Sequence, residues 1–303
     1  MAAGRVAVVL FGPQGQGGFN QAGHAGALRA AAYAPGLEVF WCEPPADRAA
    51  FLADVCGRGF DLVIAHGGQG DAPVAAMAPR FPACLFVVTQ GSYPAANVAV
   101  YEALQEQSAY LAGVLAASIT ATGVVAHLSG EKVRPGLKGR AAFADGVRRT
   151  RPDVRLVTCF CGDQHDPELA WRVVLRQADA GADVLFAMID GGRAGAIRAC
   201  RERAVAQIGN VFDWTEREPA VFIASALADS GACIELAVRA AAAGALVCGE
   251  RRHFGLEAPE IVRLALAGRV PPHARAAVEA AAVQLAQGTI IPAEEYAGEE
   301  LSV

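Results

Sequence analysis

The sequence predicts a doubly wound α/β protein made of two similar lobes. Short runs rich in Val, Ile, Leu and Phe alternate with longer alanine-rich stretches, which is the pattern of parallel strands joined by crossover helices. The same rhythm starts again after about residue 120, so each half is expected to build its own sheet. With 303 residues, 53% of them hydrophobic and 19% charged, the chain can bury a substantial core and is not typical of a disordered protein.

The predicted strands are spaced so that a helix fits after each of them. In the first half they lie at residues 6–10, 37–41, 62–65, 85–88 and 98–100. In the second half they lie at residues 123–128, 154–160, 184–187, 206–208 and 221–224. A long helix at residues 101–117 is predicted to make the first crossing between the lobes, because it is apolar along one face and a new series of strands follows it.

The rest of the chain is predicted to cross between the lobes twice more. Asp229 can cap a helix that runs to residue 243 and ends at Gly244. Residues 259–267 are predicted as a helix, the following Pro-Pro pair as a break, residues 275–287 as a helix, and the region of Ile290 as a last strand. The lobes are therefore expected to be discontinuous, with residues 1–120 and about 229–270 in one and residues 121–228 and about 271–303 in the other. A ligand cleft is expected between them.

Charge and hydropathy exclude several classes of function. The net charge of −5 provides no positive field for a nucleic-acid backbone or an anionic membrane surface, so neither is expected as a partner. Residues 108–128 are uncharged, but two threonines and a glycine divide them into a helix and a strand, and no membrane insertion is expected.

The cysteines predict free thiols and bear on localisation. The eight cysteines are scattered without CxxC pairs, so buried thiols are favoured over disulfides, and Cys159 and Cys161 lack the companions that a metal site needs. Because the first strand begins at residue 6, no export leader is expected. The chain as written is predicted to be cytoplasmic, or periplasmic if a leader has been removed.

A glycine-rich turn at residues 11–20 joins the first strand to the first helix and allows two interpretations. As a dinucleotide loop with Gly15 and Gly17 it would place Asn20 at the third glycine position, where a side chain hinders close packing, although Glu43 could bind a ribose. A phosphate-binding P-loop is excluded, because the turn lacks Lys and Ser/Thr at the required spacing.

In the second interpretation, the glycines of this turn allow polar and aromatic side chains to face a ligand. Gln14, Gln16 and Asn20 would supply hydrogen bonds, and Phe19 a flat surface for stacking against a ring. The simpler alternative for Phe19 is packing against the first helix, and the sequence does not decide between the two.

A set of short motifs, each weak alone, recurs in order along nearly the whole chain. They are Phe19-Asn20-Gln21, residues 59–64 (GFDLVI), Phe81-Pro82, Asn97-Val98, residues 110–113 (YLAG), residues 181–186 (GADVLF), Ile208-Gly209 and residues 288–292 (GTIIP). Together they resemble the basic membrane protein family of ABC-transporter substrate-binding proteins, which includes PnrA-like purine-nucleoside receptors. The resemblance implies a type I periplasmic-binding fold, two lobes joined by a multi-strand hinge and closing over a small solute, and no catalysis.

The resemblance also assigns site residues. It implies that Phe19 stacks on a heterocycle, that Asn20 hydrogen-bonds to it, and that Asp213 accepts hydrogen bonds from ligand hydroxyl or ring N–H groups. The structural alternative for Asp213 is a cap of the following turn.

Four positions depart from the family pattern and put a nucleoside ligand in question. Gln90 stands where the family commonly has an acid, Ala228 where a lysine usually helps to hold the ligand, and Asp190 where a glycine-rich turn has a small residue. Trp214 replaces a polar residue, and it is expected either to add a second stacking face opposite Phe19 or to cover the hinge.

One further segment suggests a hydrolase, because His165 lies between two acids. Asp166 followed by Pro167 is more simply the cap and first residue of a helix. No nucleophile motif or metal-ligand set accompanies the histidine.

The sequence as a whole therefore predicts a protein that binds a small planar heterocyclic solute, nucleobase-like or nucleoside-like, without changing it. The expected ligand contacts are Gln14, Phe19, Asn20, Gln90, Asp190, Asp213 and Trp214. No catalytic residue, cofactor or metal is predicted. An ABC permease is the expected partner if the protein is exported, and a ligand sensor in the cytoplasm is the alternative role. The competing class is an enzyme using the same cleft, either nicotinamide-dependent or hydrolytic.

Overall fold

The structure, a computed structural model, describes residues 4–302, so the ends of the predicted lobes at residues 1–3 and 303 lie outside it. The strands are β1 (Val6–Phe11), β2 (Glu38–Cys42), β3 (Leu62–His66), β4 (Leu85–Thr89), β5 (Val98–Ala103), β6 (Val124–Ser129), β7 (Arg155–Phe160), β8 (Val184–Met188), β9 (Ala206–Asn210), β10 (Phe222–Ala228), β11 (Arg251–Phe254) and β12 (Val262–Leu266). The helices are α1 (Phe19–Ala30), α2 (Arg48–Gly57), α3 (Asp71–Met77), α4 (Gln105–Ile119), α5 (Arg134–Thr150), α6 (Pro167–Asp179), α7 (Arg193–Arg203), α8 (Ser230–Ala242) and α9 (Pro272–Ala286).

The chain forms two compact units. Of the described residues, the first contains residues 4–103 and Asp229–Phe254, and the second contains Leu104–Ala228 and residues 255–302. The predicted boundary at residue 228 coincides with one of these limits, whereas the other two differ. Helix α4 and residues 255–270 belong to the second unit, because α4 packs on α5 and α9, and β12 pairs with β10.

The first unit is built on a six-stranded parallel sheet with the order β11-β5-β4-β3-β1-β2. Alternate residues of its strands, such as Val9, Val63 and Phe86, pack against Leu52 and Val74 of α2 and α3 in one apolar cluster. Helices α1 and α8 contact the strands and each other. The central strands are therefore buried on both faces, as expected for parallel sheets.

The second unit has a six-stranded sheet with the order β12-β10-β9-β8-β6-β7, in which only β12 runs antiparallel to its neighbour. The two faces of this sheet have separate cores. Val184 and Phe186 pack with α4, α5 and α9, while Leu185 and Ala187 between them pack with α6 and α7. This alternation is the period of two that an extended strand requires.

The chain's small and acidic residues explain several local features. Asp229 and Asp166 cap α8 and α6 by accepting hydrogen bonds from main-chain N–H groups, which confirms both predicted helix starts. Gly113 of α4 and Gly146 of α5 allow these helices to approach closely, because a Cβ at either position would overlap the main chain of the other helix.

Three predicted elements are wrong. Residues 101–103 extend β5, which hydrogen-bonds to β4 and β11 on its two sides, so the helix begins only at Gln105. Residues 262–266 are strand β12 and not a helix, because they pair with β10. No strand forms at Ile290, although Glu300 makes a parallel bridge with Thr158 of β7. Strand β11 was not predicted.

The last described residues lie along α5 and the edge of the second sheet. Glu300 forms ion pairs with Arg140 and, at 2.8 Å, with Lys132. The guanidinium of Arg140 lies 4.8 Å from the ring centre of Phe160 and 4.7 Å from that of Tyr296. Along residues 4–302, none of the helices has the length and apolar character that a membrane crossing requires.

Candidate functional site

The carboxyl ends of β1, β3 and β4 bring three side chains together in the first unit. Phe19 begins α1 after the glycine-rich turn, His66 ends β3 and Thr89 ends β4. The register of the sheet places His66 directly beside Thr89. In open parallel sheets this edge is where ligands bind.

Hydrogen bonds fix the orientation of these three residues, which we call the Phe19 platform. Thr89 Oγ1 accepts from the Gly67 N–H at 3.0 Å and lies 2.9 Å from Nδ1 of His66. Nε2 of His66 lies 3.1 Å from the Phe19 carbonyl oxygen, which can only accept. All these contacts are satisfied when Thr89 donates to Nδ1 and the neutral ring carries its hydrogen on Nε2.

Packing completes the Phe19 platform. The rings of Phe19 and His66 are stacked, with centres 4.2 Å apart and planes inclined by 19°. Gly23 of α1 lies against the imidazole, where a Cβ would overlap the ring. Burial lowers the pKa of His66 to about 4, so the imidazole is neutral at pH 7. Phe19 is half-buried and its ring is held from behind.

The glycine-rich turn uses its polar groups largely within the protein. The Gln14 N–H donates to Glu43 Oε1 at 3.0 Å, so the acid that a nicotinamide enzyme would direct at a ribose instead holds the turn. Asn20 is buried, and its Nδ2 donates to the Phe11 carbonyl oxygen at 2.9 Å, which leaves Oδ1 as the atom suited to a ligand donor. The Gln14 side chain is exposed.

Gln90 has a structural role. It follows β4 with a φ of 55°, and its Nε2 donates to the Ala103 carbonyl oxygen at 3.0 Å while its Oε1 accepts from the Ala103 N–H at 2.7 Å. The amide thus joins the ends of β4 and β5. The hydrogen bonds of Gln90 do not support its predicted role as a ligand contact.

The second unit has a small concavity where β8, β9 and β10 end and α4 begins. It is lined by Gln105, Ser108, Phe186, Met188, Asn210, Val211, Ala226 and Ala228. Ala228, at the position where the resemblance expects a lysine, is therefore part of this surface. Val211 has a φ of 67°, a conformation that is strained for a β-branched residue and that turns the chain after β9.

Trp214 lies beside this concavity and is held on several sides. Its main-chain N–H donates to Ser225 Oγ at 2.9 Å, and its indole Nε1 donates to the Asn210 carbonyl oxygen at 3.2 Å. The ring stacks on Phe222, with centres 5.7 Å apart, and the guanidinium of Arg193 lies 4.5 Å from the indole centre. Trp214 is therefore integrated into the second unit.

The two acids of the predicted site differ in environment. Asp190 is largely buried after β8, and its main-chain N–H donates to the Gln164 carbonyl oxygen at 3.0 Å. Asp213 Oδ1 accepts from the N–H of Thr215 at 3.0 Å and from its hydroxyl at 2.6 Å. This is the turn cap that the sequence offered as an alternative, and it leaves Oδ2 for other contacts.

Sequence reasoning gave no site role to Arg193 or to His66. Arg193 is buried, and Arg193 Nη2 donates to the Ile189 carbonyl oxygen and, at 2.7 Å, to Asn210 Oδ1. Burial lowers the pKa of Arg193 to about 10, with the negative Asp190 acting in the opposite direction. The sequence around Arg193, residues 191–195 (GGRAG), does not indicate these hydrogen bonds, because they join the ends of two neighbouring strands. Within residues 4–302, no three His, Cys, Asp or Glu side chains cluster as a metal site would require.

Two α/β units, each with polar and aromatic side chains at the carboxyl ends of its strands, are typical of solute-binding proteins. The model of the family described as ABC transporter substrate-binding protein PnrA-like (Bmp) matches residues 3–291. The chain belongs to this family.

Solved structures support the fold. An ABC transporter solute-binding protein from Aeropyrum pernix K1 superimposes with a TM-score of 0.84 at 21% identity, over 94% of this chain and 92% of that one. A transcriptional activator of the comK gene from Bacillus halodurans gives a TM-score of 0.76 at 18% identity, over 95% and 100%. At these identities the likeness establishes the type I periplasmic-binding fold.

Two curated relatives have different described roles. The chain is 23% identical over 165 residues to the transcriptional activator protein med of Bacillus subtilis, covering 54% of this chain and 51% of that protein. It is 24% identical over 147 residues to the purine-binding protein BAB2_0673 of Brucella abortus, covering 48% and 41%. The chain thus spans about half the length of the curated relatives that it matches.

Proposed function

We propose that the protein binds a small planar nitrogen-containing solute, nucleobase-like or nucleoside-like, and releases it unchanged. The Phe19 platform is the observation that carries this proposal. It holds an aromatic ring against a buried neutral imidazole, with Asn20 Oδ1 next in the chain as a hydrogen-bond acceptor. A flat heterocycle with N–H groups matches this combination of stacking and accepting surfaces.

The groups at the strand ends favour binding over catalysis. Both ring nitrogens of His66 are engaged, by Thr89 and by the Phe19 carbonyl oxygen, so the imidazole is not placed to take a proton from a ligand. Asp166, beside His165, caps α6, which argues against the hydrolase alternative. Glu43 bonds the glycine-rich turn, which argues against the nicotinamide alternative.

The likeness to a purine-binding protein supports a heterocyclic ligand, and membership of the substrate-binding family supports binding of a small solute without chemical change.

A second candidate role is ligand sensing in the cytoplasm instead of delivery to a permease. All eight cysteines are unpaired, which is typical of a reducing compartment, and the likeness to the activator med is consistent with a regulatory protein. Fractionation of the source cells, with an antibody against the protein, distinguishes the two roles. Protein outside the cytoplasmic fraction would support delivery, and protein within it would support sensing.

The binding proposal is tested by thermal-shift screening of nucleobases and nucleosides, followed by isothermal titration calorimetry. A ligand that binds the native state alone must raise the melting temperature. Phe19→Ala should weaken binding about 5- to 150-fold, because stacking of a base on an aromatic ring contributes about 1–3 kcal/mol. Tyr33→Ala, an exposed aromatic residue beyond the end of α1, is the matched control and should bind normally. Unchanged affinity in Phe19→Ala would contradict the proposal.

A further inference from the structure

The guanidinium of Arg193 is an unusual feature of the carboxyl edge of the second sheet. Arg193 is the first residue of α7 and is 4% exposed. Its Nη2 group donates to the Ile189 carbonyl oxygen and to Asn210 Oδ1, so the guanidinium joins the ends of β8 and β9. The face of the group lies over the indole ring of Trp214.

The other terminal nitrogen of this guanidinium, Nη1, has no hydrogen-bond acceptor within residues 4–302 and is inaccessible to solvent. A buried charged donor without an acceptor is costly, because it has lost its water and gained nothing in return. The group remains charged at neutral pH, since burial lowers its pKa only to about 10. A bound acceptor would relieve this cost.

Asn210 adds a second donor beside the guanidinium. Because Asn210 Oδ1 accepts from Arg193 Nη2, the orientation of the amide is fixed and its Nδ2 group remains to donate elsewhere. Asn210 also lines the concavity where β8, β9 and β10 end. One charged and one neutral donor, next to each other at this edge, match a group that only accepts hydrogen bonds.

Charges of both signs surround Arg193. Asp190 interacts favourably with the Arg193 charge, whereas the Arg217 charge opposes it. The guanidinium of Arg217 lies 5.4 Å from the indole centre of Trp214, so a second cation shares the aromatic surface. Guanidinium N–H bonds lie in the plane of the group, so an acceptor for Nη1 has to lie in that plane and not on the face that covers the indole ring. Because Nη1 is inaccessible to solvent, neighbouring side chains have to move to admit the acceptor.

We propose that Arg193 and Asn210 bind a carboxylate or phosphate oxygen of the ligand, which makes the ligand an anionic heterocycle. This inference rests on the proposed function, because it takes the acceptor at Arg193 to belong to the heterocyclic solute that the protein binds. It goes beyond that function by assigning a charge to the ligand and a specificity-determining role to Arg193.

The test compares neutral and anionic members of matched ligand pairs by isothermal titration calorimetry on the full chain. Adenosine and uridine with their 5′-monophosphates form the phosphate arm, and nicotinamide with nicotinate and uracil with orotate form the carboxylate arm. In at least one pair, the anionic member should bind wild-type protein at least tenfold more tightly. The arm that shows the preference identifies the acceptor.

Variants test whether Arg193 causes that preference. Arg193→Gln should lower the affinity for the anionic member at least tenfold and change the affinity for the neutral member less than threefold. Arg193→Lys should retain part of the preference for the anionic member. Arg217→Gln, which removes the exposed cation over the same indole, is the matched control and should keep the preference within threefold.

Failure of the inference and failure of the proposed function give different results. If neutral members bind as tightly as anionic ones to the wild-type protein, the inference is overturned and the proposed function stands. An anionic preference that survives in Arg193→Gln also overturns it. If no member of any pair binds, both are overturned. If Arg193→Gln does not fold, the ratio of the affinities for the anionic and neutral members, measured on the wild-type protein, still tests the inference.

Discussion

Lowering the pH from 7 to 5 should destabilise both units through two buried histidines. His66 in the first unit and His127 in the second are fully buried. Burial lowers the pKa of His66 to about 4 and that of His127 to about 3, with the nearby Arg140 charge contributing to the shift of His127. Each ring is hydrogen-bonded at both nitrogens, His66 as described and His127 by Thr158 and Ser129.

The size of the effect follows from proton linkage. A histidine in the unfolded chain has a pKa near 6.5. Between pH 6.5 and the lower pKa of the folded state, the unfolded chain therefore binds a proton that the folded protein does not bind. The contribution of each buried neutral histidine to the free energy of unfolding is therefore fully present above pH 6.5 and is lost as the pH falls towards the folded pKa. At pH 5 the loss is about 2 kcal/mol for each histidine and about 4 kcal/mol for both. Carboxyl groups contribute mainly below pH 5, because their unfolded values lie near 4.

The assay is urea denaturation at pH 7, 6, 5.5 and 5, followed by tryptophan fluorescence. Trp41 reports on the first unit, and Trp171 and Trp214 report on the second. His66→Gln and His127→Gln should each lower stability at pH 7 but remove about 2 kcal/mol from the loss between pH 7 and pH 5.

His273→Gln is the control for these variants. This histidine is exposed at the start of α9, so its replacement removes no buried imidazole and controls for the change of residue type. If the wild-type protein loses less than about 1 kcal/mol of stability down to pH 5, or if the histidine variants keep its full pH dependence, the two buried histidines do not cause the acid destabilisation.

Three further outcomes are expected. Gly146→Ala should lower the free energy of unfolding, measured with urea, by about 1–3 kcal/mol, because its Cβ would overlap the main chain of α4. The control Gly57→Ala, whose Cβ meets open space, should change it little. Equal losses in the two variants would contradict the close crossing of α4 and α5. Glu300→Gln should cost about 1–3 kcal/mol, because it removes the carboxylate that pairs with buried Arg140, and exposed Glu299→Gln should change stability by less than about 0.5 kcal/mol. With a thiol reagent at pH 8, the two partly exposed cysteines should react first and the six buried ones only after unfolding; eight rapid reactions would contradict their burial.

Much of the fold could be predicted from the sequence, because most strands are buried on both faces and appear as short apolar runs. The failures occur where a distant partner decides the structure. Residues 262–266 contain alternating and helical apolar spacings at once, and their pairing with β10 selects the strand. Residues 101–103 continue β5 because β4 and β11 supply hydrogen bonds on both sides, and β11 is too short and polar to be recognised alone.

The candidate site was predictable only in its local part. The glycines before Phe19 and the motif around it point to the turn after β1, and the sequence placed Phe19 and Asn20 there. Asp213 caps its own turn through Thr215, which the sequence allowed as an alternative. The bonds that give Gln90 a structural role, and those that hold His66 and Arg193, depend on strand register. A single sequence does not contain that register explicitly, so these residues carried no local signal.

The central claim is that the protein binds a solute and returns it unaltered. The most direct measurement incubates excess protein with the compound that most raises its melting temperature, isolates the complex, and analyses the protein and the released compound by mass spectrometry. One equivalent should be bound per chain, and the same compound should be recovered completely after prolonged incubation. A product that accumulates with time and in proportion to protein would contradict the central claim.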